Sequence, residues 1–234
     1  MLISAVQKFT MLDYPGKCAC IVFTPGCNFR CGYCHNPEFV LPEEIQKIKH
    51  TFIPEKVFFQ FLQKREGMLD GVVITGGEPT MMGDLLDFMR KVKERGFLVK
   101  LDSNGNRPDI LEKALSEGIV DYIAMDVKTS YGKYGQLVGK LVKTENIQKS
   151  IALLMHSNIE YEFRSTLVDE IHSHGVLAEM REMIDGARAL YLQSFRPEKT
   201  LKSSYEKFHP FSQSRLSETV SFFREKIEKV EVRG

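Results

Sequence analysis

Three cysteines stand close together in Pro25-Gly26-Cys27-Asn28-Phe29-Arg30-Cys31-Gly32-Tyr33-Cys34-His35-Asn36-Pro37. The spacing, Cys-x3-Cys-x2-Cys, lets three thiolates on a glycine-bearing loop converge on one metal centre, whereas structural cysteines scatter through a core. A closed zinc site takes four ligands. His35 is the further candidate nearby, and adjacent residues such as Cys34 and His35 can hardly face one ion together. A four-iron cluster is normally held by four cysteines, so three would leave one iron open to a substrate or cofactor. All five cysteines of the 234-residue chain lie between Cys18 and Cys34. A secreted disulfide framework would spread them and favour an even count. Cys18 and Cys20 lie two apart at the start of a β-rich run and share a face; they read as small buried side chains rather than ligands.

The elements that must present this loop follow from the hydrophobic pattern. Short β-branched runs at 19–24, 71–76, 98–103, 122–127, 161–168 and 189–195 alternate with amphipathic stretches near 54–69, 83–95, 109–117, 144–158 and 175–186, with a last one near 213–230. This alternation predicts an α/β fold with a parallel sheet, either doubly wound or a partial barrel. The stretch 197–212 is long for a connection and reads as functional or mobile. The charge balance, 32 basic against 31 acidic side chains for a net +1, excludes a strongly basic nucleic-acid binder and an acidic tail protein. With 43% hydrophobic and 27% charged residues, the chain has the material for a core and too much of it for disorder. No apolar run reaches membrane-spanning length. The N-terminus, interrupted by Gln7, Lys8 and Asp13, makes a poor signal peptide. A soluble cytoplasmic protein, with neither nucleic acid nor membrane as partner, is expected.

Polar residues recur where the strands end. The second run closes on Thr75-Gly76-Gly77-Glu78-Pro79 and the third on Leu101-Asp102-Ser103-Asn104-Gly105. The fourth closes on Met125-Asp126-Val127-Lys128, while the fifth and sixth carry Phe163-Arg164-Ser165-Thr166 and Gln193-Ser194-Phe195-Arg196-Pro197. Each alone reads as a turn or cap. Together they predict one shared cleft, because ligand sites of parallel α/β folds lie at the carboxyl ends of the strands. No Ser-His-Asp or paired-carboxylate constellation competes with the cysteines, and His172 and His174 read as surface residues.

Cys27-x3-Cys31-x2-Cys34, with Tyr33 before the third cysteine, resembles the signature of the radical S-adenosylmethionine superfamily. Gly76-Gly77-Glu78-Pro79 is similar to that superfamily's Gly-Gly-Glu-Pro element. Asp102-Ser103-Asn104-Gly105 and Asp126-Val127-Lys128 resemble elements of glycyl-radical-enzyme activating enzymes. Leu12-Asp13-Tyr14-Pro15-Gly16-Lys17 and the segment 26–37 are similar to the activating proteins of anaerobic ribonucleoside-triphosphate reductase. The likeness runs from about Phe9 to Pro197, with one departure: Gln193 stands where some activating enzymes carry a nucleoside-contacting histidine.

The resemblance implies a partial (β/α)6 TIM-type barrel with a parallel sheet, as a single core domain over about 16–197 followed by a loop and helix in 198–234. It implies a 4Fe–4S cluster held by Cys27, Cys31 and Cys34. S-adenosylmethionine would be held by Tyr33, Gly76, Gly77, Glu78, Asp102, Ser103, Asp126, Lys128, Arg164 and Gln193. Lys128 and Arg164 suit a carboxylate or ribose oxygens, Asp102 and Asp126 an ammonium or hydroxyls; the glycines let the backbone approach the methionine amino group. The activity implied is reductive cleavage to a 5′-deoxyadenosyl radical, with no catalytic side chain of its own. The partner would be a glycyl radical enzyme, anaerobic ribonucleotide reductase in the first place, with a flavodoxin- or ferredoxin-type electron donor. Auxiliary ferredoxin-like clusters would each need about four more cysteines, which the chain lacks. A small-molecule enzyme like 7-carboxy-7-deazaguanine synthase is the alternative, and a non-catalytic zinc module a second. The stretch Tyr131–Lys140, with Gly132, Gly135 and Gly139, reads as a flexible loop that rims the mouth with 197–212, placing Tyr134 and Phe211 against a docked peptide.

Overall fold

The computed structural model describes residues 1–233. Its strands are β1 (Ala5–Thr10), β2 (Ala19–Thr24), β3 (Gly71–Gly76), β4 (Leu98–Ser103), β5 (Tyr122–Asp126), β6 (Glu160–Leu167), β7 (Ala189–Ser194) and β8 (Lys229–Arg233). They follow one another in chain order in a sheet. β1 pairs antiparallel with β2, whereas β2–β3, β3–β4, β6–β7 and β7–β8 are parallel. The fold is therefore the expected α/β class, and β2 to β7 are the six strands read from the sequence.

The chain forms two compact units. The first comprises Met1–Asn28, Asn36–Ser103 and Arg107–Ile123; the second comprises Phe29–His35, Asn104–Asn106 and the residues from Ala124 onward. In the first unit β2 and β3 are buried along nearly their whole length, as continuous apolar runs in parallel sheets are. Helix α1 spans Pro42–Ile48. Helices α2 (Glu55–Gln63) and α3 (Leu85–Lys93) repeat apolar residues at helical spacing and bury Phe58, Phe59, Leu62, Phe88, Met89 and Val92. The Phe88 ring lies 5.5 Å from Phe58 and 5.2 Å from Phe59. Burying each such side chain stabilises the fold by about 1.5–3 kcal/mol. Helix α4 (Pro108–Ser116) opens on proline, whose fixed φ suits a first turn.

In the second unit α5 spans Tyr134–Val138 and α6 spans Thr144–Met155, with Ile147, Ile151 and Leu154 on its buried face. Helices α7 (His174–Met183) and α8 (Gln213–Arg224) are capped by Ser173 and Ser212, whose hydroxyls accept from Val176 N and Arg215 N. Such caps contribute about 1 kcal/mol each. On β8, Arg233 pairs at 2.8 Å with the buried Glu162 of β6 and lies over the Tyr191 ring of β7 at 3.2 Å.

Several expectations are corrected here. The last amphipathic stretch ends at Arg224, and 229–233 is a strand rather than the end of a helix. β1 carried no recognised signal. Tyr131–Lys140 is not a flexible loop: it is a 3-10 turn followed by α5. Tyr134 is fully buried, and its hydroxyl accepts from Lys128 N at 3.1 Å. Phe211 is buried as well, so neither ring meets a docked peptide. His174 is exposed as expected, but His172 is fully buried. Its Nδ1 accepts from Val168 N and its Nε2 donates to Lys128 O, both at 3.0 Å. Burial holds this imidazole below its ordinary range, so it stays neutral.

Candidate active site

In the first unit, β2 runs out at Thr24 into Pro25-Gly26-Cys27. Gly26 N donates to Phe39 O at 2.7 Å, and Gly26 O accepts from Glu78 N at 2.7 Å. Gly77 N donates to Thr24 O at 2.9 Å. The end of β3 thus lies directly on the exit of β2. Gly76 has φ +120, and a Cβ there would sit 2.4 Å from the Thr24 backbone; one on Gly77 would sit 2.1 Å from Gly26 O. Both glycines are required inside the protein, Gly76 against Thr24 at the end of β2 and Gly77 against Gly26, the residue before Cys27. The sequence reading had credited them to the approach of a cofactor.

Glu78 is buried, and its Oε1 accepts from Thr80 N at 3.2 Å, from the Thr80 hydroxyl, and from Ser103 Oγ at 3.0 Å. Two of the residues expected from different strand ends therefore meet. Asp102 Oδ1 lies 2.6 Å from Nζ of Lys100, a lysine that is itself 1% exposed. Lys100 was not anticipated. Lys100 and Asp102 are two apart on one strand and so share a face, but nothing in the sequence marks that face of the lysine as buried.

The second unit holds the rest of the cysteine loop. Cys34 N donates to Cys31 O at 3.0 Å, closing a turn, and Arg30 N donates to Val138 O of α5 at 2.8 Å. From the far end of the chain, Leu201 N donates to Cys34 O at 2.9 Å and Lys202 N to Gly32 O at 3.0 Å. The Tyr205 ring covers Gly32 so closely that a Cβ there would lie 2.3 Å from it, and the ring packs against Phe208 with centroids 4.5 Å apart. The long 197–212 connection is therefore a strap on the cysteine loop, with a 3-10 turn at Ser203–Lys207. His35 is turned against Phe195, ring centroids 5.6 Å apart.

Asp126, at the end of β5, lies 3.0 Å from Lys128 Nζ and 3.1 Å from Arg164 Nε. Burial opposes the Lys128 charge, but Asp126, Tyr33 and Cys31 around it hold the ammonium well above its ordinary range. Burial pushes the Cys31 thiol up to about 11 and the Tyr33 phenol higher than usual, while Lys128 draws both down. A cation beside a buried thiol favours the thiolate that a metal takes as ligand. Gln193 sits 3.5 Å from the Thr166 hydroxyl. Burial pushes the Cys20 thiol up to about 12, in keeping with a structural residue of β2.

The family model of the Radical SAM superfamily matches residues 21–203. A protein of Methanocaldococcus jannaschii named as a glycyl-radical enzyme activating enzyme is 30% identical over 240 residues, covering 99% of this chain and 95% of its own. The pyruvate formate-lyase-activating enzyme of Streptococcus mutans is 30% identical over 135 residues, covering 54% of this chain and 50% of its own length. Among solved structures, Streptococcus suis SuiB bound to precursor peptide SuiA aligns with a TM-score of 0.64 at 17% identity, over 92% of this chain and 48% of that one. TYW1 with a lysine-pyruvate adduct aligns at 0.58 and 16% identity, over 88% of this chain and 73% of that one. The structural likenesses are of fold.

Proposed function

The chain belongs to the radical S-adenosylmethionine superfamily, whose enzymes use a 4Fe–4S cluster and S-adenosylmethionine, and from that membership we propose that it installs a glycyl radical on a partner enzyme. Anaerobic ribonucleoside-triphosphate reductase is the acceptor named by this proposal. What supports the reading is the likeness to a protein named for glycyl-radical enzyme activation, which extends over 99% of this chain.

The residue types suit the cofactors, although among the described residues no three His, Cys, Asp or Glu side chains already stand together as a metal site. Three thiols within eight residues form a soft donor set, and His35 packs its ring near Phe195. We assign Cys27, Cys31 and Cys34 to the cluster. When bound, these groups supply one-electron cleavage of the sulfonium carbon–sulfur bond and a hydrogen-abstracting 5′-deoxyadenosyl radical. The chain's own task is to bind, orient and exclude water. Tyr33 and Cys31 are buried on the loop. Gly76 and Gly77 seat the loop from β3, so their assignment to the cofactor rests on the motif. Glu78 and Ser103, fixed to each other, and Asp102, fixed by Lys100, are assigned to its polar groups. The Asp126–Lys128–Arg164 cluster offers both signs of charge to a zwitterion, and Gln193 completes the set. The core domain would span about 16–197, with the strap, α8 and β8 following. Among the described residues, no helix is long and apolar enough to cross a membrane; a cytoplasmic setting with a flavodoxin- or ferredoxin-type donor accords with this chemistry.

The test is anaerobic reconstitution and reduction with S-adenosylmethionine and purified acceptor, followed by electron paramagnetic resonance of the acceptor. A glycyl radical on the reductase is the expected result. Turnover of a small pterin-like substrate, with no radical on any glycyl radical enzyme, would replace this reading with the small-molecule one.

A further inference from the structure

The second unit contains a cleft of about 260 Å³ between the start of the 129–137 segment, residues 170–171 and the strap. Thr129 is among its lining residues; it is fully buried, and its Oγ1 has no hydrogen-bond partner among the described residues. A buried hydroxyl left unpaired costs about 1–3 kcal/mol, which makes it a demand for a ligand. Leu137 and Phe208 supply apolar wall, and Gln136 and Lys133 line the cleft beside Glu170. Glu170 is engaged with His209, accepting from its Nδ1 at 2.7 Å and its backbone N at 3.0 Å.

These features select among ligands. A bare anion would meet Lys133 but also the Glu170 carboxylate. A cofactor-sized molecule needs roughly 300–1,000 Å³. A peptide group carries one donor and one acceptor, matching the Thr129 hydroxyl and the Gln136 amide, while its side chain takes the apolar wall. The cleft also shares Tyr205 with the cysteine loop: this ring lines the cleft and lies on Gly32.

We propose that this cleft seats a short extended stretch of the acceptor protein, beside the cysteine loop and apart from the cofactor residues assigned above. The inference rests on the glycyl-radical reading and identifies where the acceptor docks.

The test uses the full-length reconstituted enzyme with purified anaerobic ribonucleoside-triphosphate reductase and, separately, pyruvate formate-lyase as acceptors. Thr129→Val keeps the shape and removes the hydroxyl; Gln136→Ala alters an exposed rim residue and cannot unfold the chain. Iron content and circular dichroism establish folding. The expected result is a KM for the acceptor raised about three- to tenfold in each variant, with the ratio of acceptor radical to uncoupled deoxyadenosine release falling likewise at sub-saturating acceptor. Radical transfer with wild-type KM in both variants overturns the docking site and leaves the glycyl-radical reading standing. Absence of any acceptor radical with the wild-type enzyme overturns both.

Discussion

The closeness of Tyr205 to Gly32 gives a prediction whose size follows from geometry. In Gly32→Ala the new methyl would lie 2.3, 2.5 and 2.7 Å from three carbons of the Tyr205 ring, where unstrained carbons sit about 3.5–4.0 Å apart. The ring must move by about 1 Å or more. It is not free to do so cheaply, because it packs on Phe208 at 4.5 Å and its own segment is tied by Lys202 N to Gly32 O. Overpacking of this kind costs about 1–3 kcal/mol. For a chain of this size each kcal/mol lowers Tm by roughly 2–4 °C, so Gly32→Ala should lower the Tm of the cluster-free protein by roughly 2–12 °C. Tyr205→Ala loses the ring's packing but opens the space the methyl needs. The double variant should therefore be less destabilised than the sum of the singles, with a coupling of about 0.5–3 kcal/mol. Urea denaturation of apo-protein, followed by circular dichroism, measures all four corners of the cycle. Retained iron after anaerobic reconstitution then reports whether the strap matters to the loop. Strict additivity, or a Gly32→Ala variant as stable as the parent, would refute the strap.

Cys27→Ala, Cys31→Ala and Cys34→Ala should each lose the brown colour and the iron, while Cys18→Ala and Cys20→Ala keep both; iron loss in Cys18→Ala would overturn the ligand assignment. Asp102→Ala leaves the buried Lys100 without its carboxylate and should cost about 3–5 kcal/mol, whereas Lys128→Ala should chiefly weaken S-adenosylmethionine binding. Adding Lys100→Met to Asp102→Ala should restore much of the stability, and equal urea midpoints for the single and double variants would count against the pair. His172 has a folded-state pKa held below that of the unfolded chain, about 6.5. The unfolded state then binds the proton first, so stability is complete above that value and is lost as pH falls through it. His172→Gln should flatten this dependence between about pH 7 and pH 5; an unchanged slope would place the titration elsewhere.

The parallel strands were legible because each is a short apolar run with a polar residue where it ends, and the cysteine spacing singled out the loop to which the cluster is assigned. β8 was missed because Lys229–Arg233 follows α8 with no proline or glycine between them, so its Lys-Val-Glu-Val-Arg alternation was absorbed into the end of the helical stretch. α5 was hidden by Gly132, Gly135 and Gly139, although Tyr134, Leu137 and Val138 already had helical spacing. His172 and Lys100 were hidden for another reason. Their partners are a backbone carbonyl of Lys128 and a neighbour on the same strand, and only tertiary burial gives such groups their meaning. The role of 197–212 rests on backbone bonds to Gly32 and Cys34, which no side-chain pattern announces.

The strap also sets a schedule. Gly32 is bound by Lys202, 202 − 32 = 170 positions further along the chain. At about 5–20 residues per second, a ribosome needs roughly 10–30 s to cover that distance. Throughout this interval the loop bearing Cys31 and Cys34 has left the ribosome while the residues that fasten it are still unmade. Its thiols are then open to oxidants and to stray metal ions. The closure of this loop is thus a late event of synthesis, set by sequence separation rather than by local folding.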